Sequence, residues 1–254
     1  MKSLPQSKSQ LPVARNLRHA YREELRRILR QTSHHPGRSR IHAIRKDITK
    51  LRSWLRLARE MIGPHRFRAH NRRLRKAARA LAPIRDAHVL RATFAAINSA
   101  SSFPKTDKYF HKQNRCAKKL MAAAMRTAAR CLKKELAARL PLKNIGTDFT
   151  AALERMREEM QSASAAARAT GSMASLHTWR KRTKNYLHAL VFVEGGKKSS
   201  HRTIARIGHL LGEDHDLAML EAELRDRRDK PESPALLALI AARRTKLRTK
   251  IFHN

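Results

Sequence analysis

The chain is short of acids. Its 254 residues hold 20 Asp and Glu against 57 Lys and Arg, a formal net charge of +37. An imbalance of that size makes a compact state repel itself, and it points to a highly negative partner. Nucleic acid, an anionic membrane and an inorganic polyanion are the classes to weigh. Aromatic residues are also scarce, at 5%, which argues against base stacking as a main source of affinity. The two cysteines, Cys116 and Cys131, make neither a disulfide framework nor a metal-ligand spacing, so a reducing cytoplasm is the expected location. No run approaches the roughly 18 apolar residues of a membrane span, so no membrane partner is expected. The opening "MKSLPQSKSQLPVARN" lacks the apolar stretch of a secretory signal, and residues 1–13 are expected to form a flexible tail.

Glycine is rare as well, with 8 in the chain, and strand-like alternation is nearly absent. Abundant instead are Ala, Leu, Arg, Lys and Glu, all good helix formers. Periodicity predicts helices near 14–33, 39–62, 66–82, 84–99 and 106–140, then 148–170, 173–194, 199–212, 214–229 and 234–252. Stretches such as "HHPGRS", "SSFPKTD", "EGGKKSS" and "KPESP" punctuate them. About ten helices with short connections make an all-α protein.

These segments divide into two sets of five with a seam near Pro141–Asp148, which prompts a search for internal repeats. Residues 42–59, "HAIRKDITKLRSWLRLAR", lie over 177–194, "HTWRKRTKNYLHALVFVE", at an offset of 135. His42 meets His177, Arg45 meets Arg180, Lys46 meets Lys181 and Leu55 meets Leu190. A second pair, "LRKAARALAPIRDAHVL" (74–90) and "IARIGHLLGEDHDLAML" (204–220), matches at an offset of 130. Here Lys76 meets Arg206 and Asp86 meets Asp216. Two matches in the same order suggest a duplication, with repeat one at 14–140 and repeat two at 148–254. Asp86 and Asp216 are expected to cap helix starts.

The periodicity gives each basic helix two sides. Ile44, Ile48, Leu51 and Leu55 share one side of the first, and Trp179, Thr183, Tyr186 and Leu190 take the same places in the second. Opposite stand His42, Arg45, Lys46 and Lys50, and then His177, Arg180, Lys181, Lys184 and His188. A face built only for solubility mixes signs, pairing Glu with Lys one turn apart. These faces exclude acids; Asp47 falls to the side. Residues 106–140 add another basic stripe at Arg115, Lys119, Arg126, Arg130 and Lys133. Arg supplies a planar fork, Lys a mobile point charge and His a pH-dependent donor. That mixture suits closely spaced phosphates with no bases to read.

"IHAIRKDITKLR" followed by "LAPIRDAHVL", then "LHTWRKRTKNYLHAL" followed by "LLGEDHDLAML", resembles the CHAD family, the conserved histidine α-helical domain. The resemblance covers about 40–225 and extends to 14–254 through the flanking helices. It implies two helical bundles related by a pseudo-twofold axis around a basic central channel that binds inorganic polyphosphate, at polyphosphate granules in the cytoplasm. Carried over residue by residue, it gives His42, Arg45, Lys46, Lys50 and Arg52 as phosphate ligands in the first repeat. In the second it gives His177, Arg180, Lys181 and Lys184, with His188 substituting from the next turn. Arg72 and Lys76, and their counterparts Arg202 and Arg206, complete the set. Thr49, Asn185 and Leu187 stand where the family pattern has basic residues.

Two other readings compete with polyphosphate binding. Sequence-independent nucleic-acid binding fits the composition, though no helix-turn-helix, zinc spacing or aromatic platform accompanies it. Weak non-specific binding of that kind is expected beside the main partner. His215–Asp216 with His177, His188 and Asp226 also has the residue types of a metal-dependent phosphohydrolase. The surrounding cations would repel such a metal, and His215–Asp216 reads more simply as a helix start. No P-loop, HEXXH or GxSxG element is present. The expected protein is not an enzyme and uses no cofactor or metal.

Overall fold

Residues 13–33, 37–98, 102–142, 149–195, 201–226 and 232–253 are described by a computed structural model. Among them every regular element is a helix. The order is α1 (Val13–Thr32), α2 (Arg38–Leu57), α3 (Arg59–Ile62), α4 (Pro64–Ala80), α5 (Ala82–Ile97) and α6 (Pro104–Lys119). It continues with α7 (Met121–Ala137), α8 (Thr150–Thr170), α9 (Met173–Val193), α10 (His201–Arg225) and α11 (Ser233–Phe252). The all-α class follows from the composition. Of the expected tail at 1–13, residues 1–12 lie outside the described residues.

Local chemistry sets most boundaries. A proline stands in the first turn of α4, α5, α6 and α11, where its missing N–H would have had no helical partner. Gly63 joins α3 to α4 at φ +76°, a left-handed conformation that glycine adopts without steric cost. Gly171 closes α8, and Ser172 then opens α9 by accepting a hydrogen bond from the Ser175 backbone N–H at 3.1 Å.

Three boundaries differ from the periodicity. The segment expected at 39–62 is α2 plus the single turn of α3, parted at Ala58. The long helix expected at 106–140 is two helices, broken at Leu120. No proline or glycine marks that break, and its cause lies in packing. Phe110 of α6 packs with Phe94, Phe103 and apolar residues of α10 and α11. Met121, Met125, Ala128 and Leu132 of α7 enter a different core, shared with α1, α2, α4, α8 and α9. A straight rod could not serve both.

The third difference is α10, which runs unbroken through the gap expected at Gly212–Glu213. A Cβ at Gly208 would lie 3.4 Å from Thr183 Cγ2, and one at Gly212 3.9 Å from Arg180 Nε. Glycine there lets α10 lie close against α9, and that packing offsets the roughly 1 kcal/mol each glycine costs a helix. Asp216 is therefore mid-helix and Asp86 sits on the second turn of α5; neither caps a helix start. The paired segments of the second match also differ in shape. Residues 74–90 span the α4–α5 junction at Leu81, whereas 204–220 lie within α10.

The apolar sides of the basic helices are buried as their spacing predicts. Ile44, Ile48, Leu51 and Leu55 are fully buried, and Trp179, Thr183, Tyr186 and Leu190 nearly so. Each buried aliphatic side chain contributes about 1.5–3 kcal/mol, enough to hold a helix whose other side repels itself. The two helices pack directly on one another. Trp54 Nε1 donates to the His188 carbonyl at 3.3 Å, Ser53 Oγ to Asn185 Oδ1 at 3.3 Å, and the Trp54 and Phe192 rings lie 4.8 Å apart.

Two acids hold distant parts of the chain together. Glu135 on α7 is fully buried and accepts from Tyr21 Oη at 2.7 Å and Arg73 Nε at 2.6 Å, with His70 Nδ1 at 2.6 Å. It thereby joins α1, α4 and α7. Glu232, just before α11, accepts from the backbone N–H groups of Lys105 and Thr106 at 3.1 and 2.8 Å. It caps α6 from more than a hundred residues away.

Candidate functional site

The close approach of α9 and α10, with α2 and α5 beside them, brings cations from four helices to one place. From α2 come His42, Arg45 and Lys46; from α5 Arg85; from α9 His177, Arg180 and Lys184; from α10 His215. The interactions that perturb their ionisation identify them as neighbours. Arg180 is repelled by Arg85 and Arg45, and Lys184 by Arg180, Arg85 and Lys46.

Among the described residues only two acids belong to this cluster, and one residue occupies both. Arg85 donates from Nη1 to Asp86 Oδ1 and from Nη2 to Asp216 Oδ1, each at 3.1 Å. Among the described residues, Arg45, Lys46, Arg180 and Lys184 have no ion-pair partner. Arg45 reaches only the Ala78 carbonyl, at 3.0 Å. The His177 and His215 rings stack with centroids 4.5 Å apart and planes 31° from parallel. His177 Nδ1 and Arg180 Nε are buried with no hydrogen-bond partner among the described residues. Such an orphaned polar atom typically costs about 1–3 kcal/mol, so two on consecutive turns of one helix mark a place shaped for something other than stability.

The ionisation of the cluster reflects crowding. Burial, with Arg180 and Arg85 beside it, brings the Lys184 ammonium down to about 8, against a partial counterweight from Asp216. Burial and neighbouring Lys184, Lys46 and Lys50 bring His188 down to about 4. Burial with Arg180, His177 and Arg85 brings His215 down to about 3. His42 and His177 are lowered for the same reasons. At neutral pH these imidazoles are neutral, and each offers one N–H donor and one acceptor.

The sequence candidates divide accordingly. His42, Arg45, Lys46, His177, Arg180 and Lys184 come together. Lys181 is exposed at the edge, where its charge bears on His177. Lys50 is drawn aside: its ammonium lies 3.4 Å from Glu24 and 4.6 Å from the Trp54 ring centroid, though its charge still reaches His188. Arg52 turns to Asn71 Oδ1 at 3.0 Å, in the company of Arg56 and Arg75. Arg72, Lys76, Arg202 and Arg206 are exposed and make no ion pair or hydrogen bond with the cluster. The stripe Arg115, Lys119, Arg126, Arg130 and Lys133 stands exposed on α6 and α7.

Arg85 is absent from the sequence candidates, and His215 stands there only in the phosphohydrolase reading, not among the phosphate ligands. They occupy equivalent places in the second match, each directly before its aspartate. Reading Asp86 and Asp216 as caps keeps both out of the phosphate-binding set. Among the described residues no three His, Cys, Asp or Glu side chains gather as a metal ion would require. No described helix is long and apolar enough to cross a membrane.

An all-helical body whose packed helices gather unpaired cations in one cluster is the class that fold and site define. The CHAD domain model matches residues 13–225, and the chain belongs to that family. The crystal structure of the CHAD domain from the plant Ricinus communis is similar in fold, with a TM-score of 0.64 over 94% of this chain and 85% of that one. At 18% identity the likeness is one of fold. No curated protein matches the chain.

Proposed function

We propose that the protein binds inorganic polyphosphate, without catalysis, at the cation cluster formed by α2, α5, α9 and α10. One observation carries this reading: Arg45, Lys46, Arg180 and Lys184 converge while both nearby acids are held by Arg85. A chain of phosphates would supply the missing negative charge and take up the buried N–H of Arg180. The neutral imidazoles of His42, His177 and His215 add donors without adding repulsion. Family membership supports the same ligand, and with it a cytoplasmic place at polyphosphate granules.

Calorimetry with polyphosphate and with duplex DNA, at about 150 mM salt, tests this directly. Polyphosphate is expected to bind more tightly. The triple variant His177→Ala, Arg180→Ala and Lys184→Ala should bind weakly, and its salt slope should fall by about 1.4, from roughly 0.7 for each of the two full charges removed. Equal or tighter DNA binding overturns the reading in favour of sequence-independent nucleic-acid binding. An unchanged slope moves the site elsewhere.

A further inference from the structure

The basic stripe on α6 and α7 has no part in the central cluster. Lys108, Lys112, Arg115 and Lys119 follow one another on α6 in steps of four, three and four residues. Arg126, Arg130 and Lys133 take the first two of those steps again on α7. At about 100° per residue, each set falls within an arc of about 60°. Thr106, Phe110, Asn114 and Ala117 are buried on the opposite side of α6, and Met121, Met125, Ala128, Leu132 and Glu135 on that of α7. Both rows therefore face outward, and all seven side chains are exposed. The seven-residue step from Lys119 to Arg126 carries the row across the break at Leu120, for a total of about 37 Å along the two helices.

Solubility does not require such a row. On α1, α8 and α10 exposed cations pair with acids one turn away, Arg26 with Glu23, Arg157 with Glu154 and Arg225 with Glu221. From residue 104 to residue 137 the sequence has only two acids, Asp107 and Glu135. Asp107 lies against His111 at 3.4 Å, and Glu135 is buried and held by Arg73. None of the seven cations is ion-paired among the described residues. The charges that bear on His42, His177, Arg180, Lys184 and His215 come from α2, α5, α9 and α10, which leaves the row outside the central cluster.

We propose that this outer row binds the phosphate backbone of duplex nucleic acid, at a second site separate from the polyphosphate site. Seven exposed cations without free acids complement a polymer that carries one phosphate charge about every 1.7 Å of its axis. Their span of about 37 Å is close to one duplex turn of about 34–36 Å. No Phe, Trp or Tyr is exposed between residues 104 and 137, so the bases of a single strand would find no stacking platform. Lys and Arg laid on a backbone position the duplex without reading its sequence. A membrane is the poorer fit. The apolar sides of α6 and α7 are buried in the cores, and Leu120 is the one large apolar side chain exposed on this face, too little to enter the interface of a bilayer.

The test titrates the whole protein into labelled DNA duplexes of about 20 base pairs, two helical turns, in two unrelated sequences. Salt runs from about 50 to 200 mM. Both sequences should bind alike, and more weakly than polyphosphate. In the row variant Lys119→Gln, Arg126→Gln, Arg130→Gln and Lys133→Gln, the salt slope should fall by about 3.6, from roughly 0.9 for each charge removed. Duplex affinity at about 50 mM salt should fall at least tenfold, while polyphosphate affinity stays near the parent's. The variant should melt no lower than the parent, because the four side chains have no ion-pair partner to lose. The central variant His177→Ala, Arg180→Ala and Lys184→Ala should lose polyphosphate and keep the duplex. Four scattered changes, Arg18→Gln, Arg66→Gln, Arg79→Gln and Lys246→Gln, should leave duplex affinity near the parent's. Full duplex affinity in the row variant overturns the proposal. An equal loss in the scattered variant overturns it too, by reducing the effect to net charge, and an equal loss in the central variant places the duplex there instead. Vesicles of phosphatidylserine and phosphatidylcholine that bind more tightly than the duplex, and are released by the row variant, assign the row to a membrane and overturn it as well. If the parent binds the duplex through the row but does not bind polyphosphate, the polyphosphate reading falls and the outer site stands.

Discussion

Lys184 stands where a lysine keeps its proton least easily, half-buried among Arg180, Arg85 and Lys46. Its folded-state value near 8 lies below the roughly 10.4 of an unfolded lysine. Between those values the unfolded chain binds more protons, so this residue's contribution to stability improves as pH rises through that window. Lys184→Gln should therefore raise the melting temperature of the ligand-free protein at pH 7 and weaken polyphosphate binding. A thermal scan beside a titration checks both signs. The parent should also lose affinity as pH rises from about 7 to 9, since a bound anion holds on the proton that the free protein releases near 8. Lys184→Arg should flatten that profile, because a guanidinium does not titrate there.

At the scale of elements, the buried carboxylate of Glu135 is the junction most sensitive to change. Glu135→Ala removes the partner of Arg73, His70 and Tyr21 together. Leaving a buried charge uncompensated costs about 3–5 kcal/mol, which chemical denaturation should register as a lower midpoint. The basic helices α2 and α9 were legible in the sequence, because apolar residues at helical spacing place Ile44, Ile48, Leu51 and Leu55 on one side and the cations on the other. The break at Leu120 was not, because it arises between two cores and the local sequence only favours helix. Continuity of α10 was hidden for the opposite reason. Gly212 has the local sign of a stop, and only the nearness of α9 explains why the helix passes through it. Arg85 was hidden with it, since its role depends on Asp216, 131 residues further on.

The whole molecule carries a charge that its fold does not neutralise. Salt should stabilise it: raising NaCl from about 50 to 500 mM shortens the Debye length from roughly 14 to 4 Å and weakens self-repulsion. Scanning calorimetry should show the melting temperature climbing with salt. Polyphosphate at matched ionic strength should raise it further, by mass action worth about 2.7 kcal/mol at a hundred times Kd. A second consequence belongs to the order of synthesis. The phenylalanines of α5 and α6 emerge from the ribosome well before α10 and α11, which cover them, and before Glu232, which caps α6. At 5–20 residues per second the wait is roughly 7–28 seconds. Throughout that interval the nascent chain displays Phe94, Phe103 and Phe110 without the helices that cover them in the folded protein.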